Sequence, residues 1–254
     1  MNFLYSLQSE WLKTKRSTAS WLCLIGGAFI PLIFLAGFIK DQRSINAYTS
    51  PDIWKKYFFQ IWQFMSLAIL PIGVVLASTL ITQVEYKNNT WKQLHATPQR
   101  FSVIFMAKLG IILLMTLKFF LYFNIGILLS AVIPSLLFDH RFPRQAIPVA
   151  FFLAENGKLF ITCLPVIALQ YLVSLQSRNF LVPIGVGIMG LVGSLILIQT
   201  WQYAYLSPYS YTPLQIVGGK AIREKINIPL LSVSYFAGIT LLCYYLYMNK
   251  KEKG

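Results

Sequence analysis

VEYKNNTWKQLHATPQR, residues 84–100, is the most polar internal segment lying between two long apolar runs, and that contrast marks the chain as membrane-spanning. It holds Glu85, Lys87, Lys92, His95 and Arg100, yet keeps Trp91 and Leu94 three apart, the spacing that puts apolar side chains on one side of a short helix. Pro98 then closes that helix, because a proline interrupts the hydrogen-bond ladder. The expectation is a short amphipathic element in water, tied at both ends to membrane spans, which a soluble partner can grip. The plain alternative is a solvated loop with a few charges.

The composition agrees with a membrane setting. Of 254 residues, 56% are hydrophobic and 12% charged, and mean hydropathy is +0.60. Several apolar runs are long enough to cross a hydrocarbon core of about 30 Å. Backbone groups in lipid must be satisfied internally, so runs of this length are expected as helices and not barrel strands. The net charge of +14 is scattered over loops on both sides of the predicted membrane, which points to anionic headgroups and away from nucleic acid. Cys23, Cys163 and Cys243 each sit alone in an apolar run and read as packing residues.

Taken in order, residues 1–17 place Phe3, Leu4, Leu7, Trp11 and Leu12 at helical spacing, with Gln8, Glu10, Lys13 and Lys15 among them. This is the pattern of a helix lying in the membrane interface. The apolar stretch that follows lacks a small-residue cleavage site and reads as a permanent span over about 19–39. Further spans are expected at about 57–82, 109–131, 159–175, 180–198 and 229–248. Pro71 is expected to kink the second of these. The third belongs to a 33-residue apolar stretch, Phe101 to Ile133, which as one helix measures about 50 Å. Its start is therefore expected to project into water, with Lys108 near the interface.

Lys118 then falls near mid-membrane, where a lone charge costs at least ~2.5 kcal/mol. It is expected either to meet an acidic or polar partner, to line a substrate path, or to snorkel. Residues 134–157 are expected as an external connection whose apolar part, Ala146 to Ala154, is too short to span. Residues 201–229 are expected as an aromatic, proline-rich cap at the outer interface. GVGIMG, residues 185–190, matches a nucleotide fingerprint in letters only, since no strand or acidic residue frames it. Its small residues Gly187, Gly190, Gly193 and Ser194 suit close helix packing. Gly218, Gly219 and Lys220 lack the remainder of a phosphate loop.

The fold class expected is all-α: a polytopic membrane protein of one transmembrane domain, six spans and an amino-terminal interfacial amphipathic helix. Over nearly its full length this pattern resembles an ABC-2 type permease. The resemblance is carried by SEWLKTKRS at residues 9–17, EYKNNTWKQLHATPQR at 85–100 and FSVIFMAKL opening the third span at residue 101. Through ALQYLVSLQSRNFLVPIGVGI at residues 168–188, it is similar to permeases of lantibiotic and bacteriocin immunity transporters.

The resemblance implies an export subunit in a bacterial cytoplasmic (inner) membrane that moves an amphipathic peptide or lipid-like molecule. A second permease, identical or related, and a separate ABC ATP-binding subunit would accompany it among membrane lipid. ATP and magnesium would belong to that partner, and this chain would carry no cofactor, no metal and no catalytic residue. Glu85, Lys87, Trp91, Lys92, Leu94 and Pro98 would form the coupling element, with Glu10, Trp11, Lys13, Lys15 and Arg16 of the interfacial helix alongside. Six spans put both termini on one side, and the denser basic residues there favour the cytoplasm. Two rival classes are a membrane scaffold or sensor that transports nothing, and an intramembrane enzyme. The second needs reactive groups converging at membrane depth, whereas the eight acids, Glu10 included, are all expected outside the core and neither HExxH nor GxSxG occurs.

Overall fold

The structure is a computed structural model that describes residues 3–15, 17–40, 53–87, 100–137, 146–218 and 226–249, with the backbone only for 85–87. The described residues form helices and no strand. They are α1 (Phe3–Thr14), α2 (Thr18–Lys40), α3 (Ile53–Phe64), α4 (Leu70–Lys87), α5 (Phe101–Leu137), α6 (Val149–Gln176), α7 (Leu181–Thr200), α8 (Tyr211–Val217) and α9 (Ile228–Asn249). Six elements are long and apolar enough to cross a membrane: α2, the continuous α3–α4 rod, α5, α6, α7 and α9. This is a multi-pass helical membrane protein.

The second span starts at Ile53, four residues before the expected boundary. Ile53, Trp54, Tyr57, Phe58, Ile61 and Trp62 form one buried face of α3, which leaves Lys55 and Lys56 on the exposed side. A π-turn, Met65–Ile69, joins α3 to α4, and Leu70 donates its N–H to the Met65 carbonyl. Pro71 has no N–H for the carbonyl four residues back, and the wider turn just before it accommodates that loss within a continuous helix.

α2 and α5 run parallel at close range. A side-chain carbon on Gly27 would lie 3.1 Å from the Phe119 carbonyl, and one on Gly126 would lie 2.9 Å from the Pro31 ring. The Cys23 thiol reaches the Met115 carbonyl at 3.5 Å. This register sets the start of α2 level with about Gly110, so the first turns of α5 extend past it, as the length of the apolar stretch predicts.

Two connections differ from expectation. α5 continues through Pro134 to Leu137, and α6 begins at Val149, so the described residues of the connection expected over 134–157 are mostly helix. Residues 149–154, expected as part of a separate short segment, are the first turns of α6. Phe152 explains the extension, because its ring packs 4.8 Å from Phe58 and 6.2 Å from Trp54. One turn later, Asn156 exchanges two side-chain hydrogen bonds with Asn124 of α5, at 2.8 and 2.9 Å.

The outer cap expected over 201–229 is corrected too, for its described residues 201–218. After α7 ends at Thr200, short 3-10 turns at Ala204–Leu206 and Pro208–Ser210 lead into α8, and this segment folds back into the bundle. The Tyr209 ring lies against Gly190, midway along α7. The Thr212 hydroxyl accepts a bond from Thr162, near the middle of α6, at 3.3 Å. Ala204, Ser210, Tyr211 and Leu214 are buried. Aromatic composition suits either an interface or an interior; the glycine notch in α7 supplies the room that makes it interior.

Candidate coupling surface at the amino-terminal face

α1 is polar on the side it buries. Its buried residues are Ser6, Glu10 and Thr14, a stripe at four-residue spacing, while Phe3, Leu4, Tyr5, Trp11 and Leu12 are exposed. A helix of this kind belongs at a membrane surface with its apolar side toward lipid, provided the buried polar side has partners. The start of α5 supplies them. Leu7 sits 3.1 Å from where a side chain on Gly110 would begin. Lys108, at 1% exposure, donates to Glu10 Oε2 at 3.1 Å. Lys13 donates to Glu10 Oε1 at 2.6 Å, so each carboxylate oxygen accepts an ammonium.

Glu10 sits on the interfacial helix, and there its side chain is packed against the start of α5, at 6% exposure. The reason is Lys108, a partner 98 positions away. Burial pushes the Glu10 carboxyl up; the Lys108 charge, then the Lys13 hydrogen bond and charge and the Lys108 hydrogen bond, outweigh it, and the pKa lies below the ordinary 4.5. A carboxyl lowered in the folded state contributes stability above its unfolded pKa and loses that contribution as pH falls through the folded value. Docking of α1, followed by amide hydrogen exchange over residues 3–14, is therefore expected to be unchanged from neutral pH to about pH 5 and to weaken below that. Weakening already between pH 7 and 6 would contradict this assignment.

Four elements meet here, the start of α5 among them through Lys108. Between α1, the start of α2 and the end of α4 lies a cavity of about 50 Å³, lined among others by Glu10, Thr14, Ser17, Ile81, Val84 and Lys108. The end of α4 is also tied sideways, with Gln83 donating to the Ser177 carbonyl in the α6–α7 turn at 2.8 Å. Lys87 closes α4 and Arg100 immediately precedes α5, so the predicted coupling segment leaves and re-enters the bundle beside α1. The backbone of Glu85 and Lys87 is helical. Trp91, Lys92, Leu94 and Pro98 lie outside the described residues, as does Arg16. Trp11, Lys13 and Lys15 are exposed on α1 or directly after it. Lys118 is half-buried, and its ammonium runs back toward the amino-terminal face to donate to Ser20 at 2.7 Å.

A second polar group lies deeper. Gln170 of α6 is fully buried; with its amide oriented to satisfy both ends, Nε2 donates to the Pro183 carbonyl at 3.1 Å and Oε1 accepts from the Tyr209 hydroxyl at 2.6 Å. This group joins α6 and α7 to the segment folded back from the carboxyl end of α7. A glutamine inside an apolar run was the available sequence signal, since a buried amide needs partners. Its partner Tyr209, 39 positions on, is not legible in the sequence. The described residues hold no group of acidic, histidine or cysteine side chains that could bind a metal.

Residues 6–194 match the profile of a family described as ABC-2 family transporter protein. The matched region runs from Ser6 in α1 into α7 and takes in Glu10, Lys108 and the end of α4. No curated protein and no solved structure matches the chain.

Proposed function

The chain belongs to the ABC-2 family of transporter proteins, a membrane permease subunit and not an enzyme, and from that premise we propose that its amino-terminal face takes up the motion of an ABC ATP-binding subunit. Family membership itself implies a partnership with such a subunit. What supports this face as the docking point is the convergence of α1, the end of α4 and the start of α5, with Glu10 and Lys108 bridging two of them. A partner can move spans only through rigid elements that it touches. On this proposal residues 85–98 enter a groove on the ATPase, where Trp91 and Leu94 give apolar contact and Glu85, Lys87 and Lys92 set register. The termini then face the cytoplasm, a second permease completes the transport path, and the cargo is an amphipathic peptide or lipid-like molecule, as in the bacteriocin-immunity branch.

The test is affinity capture of the tagged chain from native membranes in mild detergent, with ATP hydrolysis measured on the eluate. An ATP-binding subunit is expected to co-elute with the native chain, and Trp91→Ala is expected to lose it while the permease remains folded. A chain recovered alone and stable would revive the scaffold reading. Unchanged capture and activity in Trp91→Ala would move the docking point elsewhere.

A further inference from the structure

Lys118 poses a separate question of charge balance. Its ammonium donates to Ser20 at 2.7 Å and lies 5.6 Å from the Tyr122 ring centre and 5.9 Å from that of Trp11. Among the described residues no carboxylate joins it: α2 and α5 contain no Asp or Glu, and Glu10, the single acid of α1, has both oxygens taken by Lys13 and Lys108. The side chain lies on the outward face of α5, where Leu114, Leu117, Leu121 and Ile125 are exposed at helical spacing with it. A cation among lipid-facing side chains, reaching toward the membrane edge past two amphipathic rings, has the surroundings of a headgroup contact.

We propose that Lys118, with Ser20, Trp11 and Tyr122 around it, binds the phosphate of an anionic phospholipid in the leaflet nearest the chain's termini. The phosphate supplies a negative charge that the described residues around the ammonium do not. The rings hold the ammonium by their faces, Ser20 uses one of its three donors, and the other two are left for phosphate oxygens. The exposed stripe that continues through Leu121 and Ile125 toward the membrane interior takes an acyl chain. The site depends on the chain spanning a membrane and is independent of the cargo and of the ATPase.

The test places the purified full-length protein in nanodiscs of phosphatidylcholine, alone or with phosphatidylglycerol, and reads Tm together with the phosphatidylglycerol retained in native mass spectrometry. Phosphatidylglycerol is expected to raise the Tm of the native chain and to be retained. Lys118→Met is expected to lower retention roughly fivefold, the factor for one basic group at an anionic surface. Trp11→Leu, which keeps the charge, shifts retention in the same direction, whereas Lys158→Gln, at a lysine exposed and paired with Glu155, leaves it unchanged. Retention unaltered in both Lys118→Met and Trp11→Leu, or equally reduced in Lys158→Gln, would overturn the site. Inorganic phosphate reproducing the Tm rise in phosphatidylcholine discs would show a soluble-anion site in place of a lipid site.

Discussion

Glu10→Gln is expected to destabilise the docking of α1 by about 3 kcal/mol, because it removes a carboxylate charge that faces the buried Lys108 ammonium. Lys108 has 1% exposure, and a neutral amide cannot replace the charge attraction that offsets its desolvation. Changing both partners gives the opposite result. With Glu10→Met and Lys108→Met together, apolar side chains of similar length fill the junction, and most of the loss is expected to be recovered, since a buried ion pair and a packed apolar pair are often close in stability. The measurement is a double-mutant cycle on unfolding in detergent, with hydrogen exchange over residues 3–14 to locate the effect. Single and double variants losing stability additively would show that the two groups do not act as a pair. In the ATPase-bound complex, the same Glu10→Gln change is expected to weaken the coupling of hydrolysis to transport, because a loosened α1 no longer moves with α5.

The second large effect is expected in α7. Gly187→Ala places a carbon 2.5 Å from Val75 Cγ1 and 2.7 Å from the end of the Gln170 amide that faces Tyr209, its oxygen in the orientation that satisfies both ends, well inside contact distance. Neither neighbour yields readily: Val75 is buried at 2% exposure, and Gln170 is held by Pro183 and Tyr209. Overpacking of this kind costs about 2 kcal/mol. A side chain on Gly193, in the same helix, meets nothing within 4 Å, so Gly193→Ala is expected to be neutral or to gain up to about 1 kcal/mol of helix propensity. Equilibrium unfolding of the two variants in mixed detergent micelles separates the cases. Equal effects at the two positions would mean that α7 does not pack as described.

This pair of glycines also shows where sequence pattern stops. Gly187, Gly190, Gly193 and Ser194 share the spacing of a packing face, yet Gly187, Gly190 and Ser194 pack within the bundle and Gly193 opens outward. The period of a helix defines a face; which sector of that face is covered depends on the neighbours that the other helices bring. The same holds for α6, whose amino-terminal turns looked too short to belong to a span until the α3 aromatic face supplied them with a partner.

From sequence alone the chain was determined to be helical, membrane-spanning and six times crossed. Apolar length and the need to satisfy every backbone group within a segment admit little else. The amino-terminal helix and the polar break after the second span were legible for the same local reason, a change in hydropathy along the chain. Tertiary structure alone decided that Glu10 is buried, that residues 204–217 fold inward, and that the partners Lys118 meets are the Ser20 hydroxyl and two rings. Each of these outcomes rests on a residue from a distant segment: Lys108, Gly190 and Ser20. The free energy of a charge or an aromatic ring depends on what surrounds it, and that is set by the packing of helices far apart in sequence.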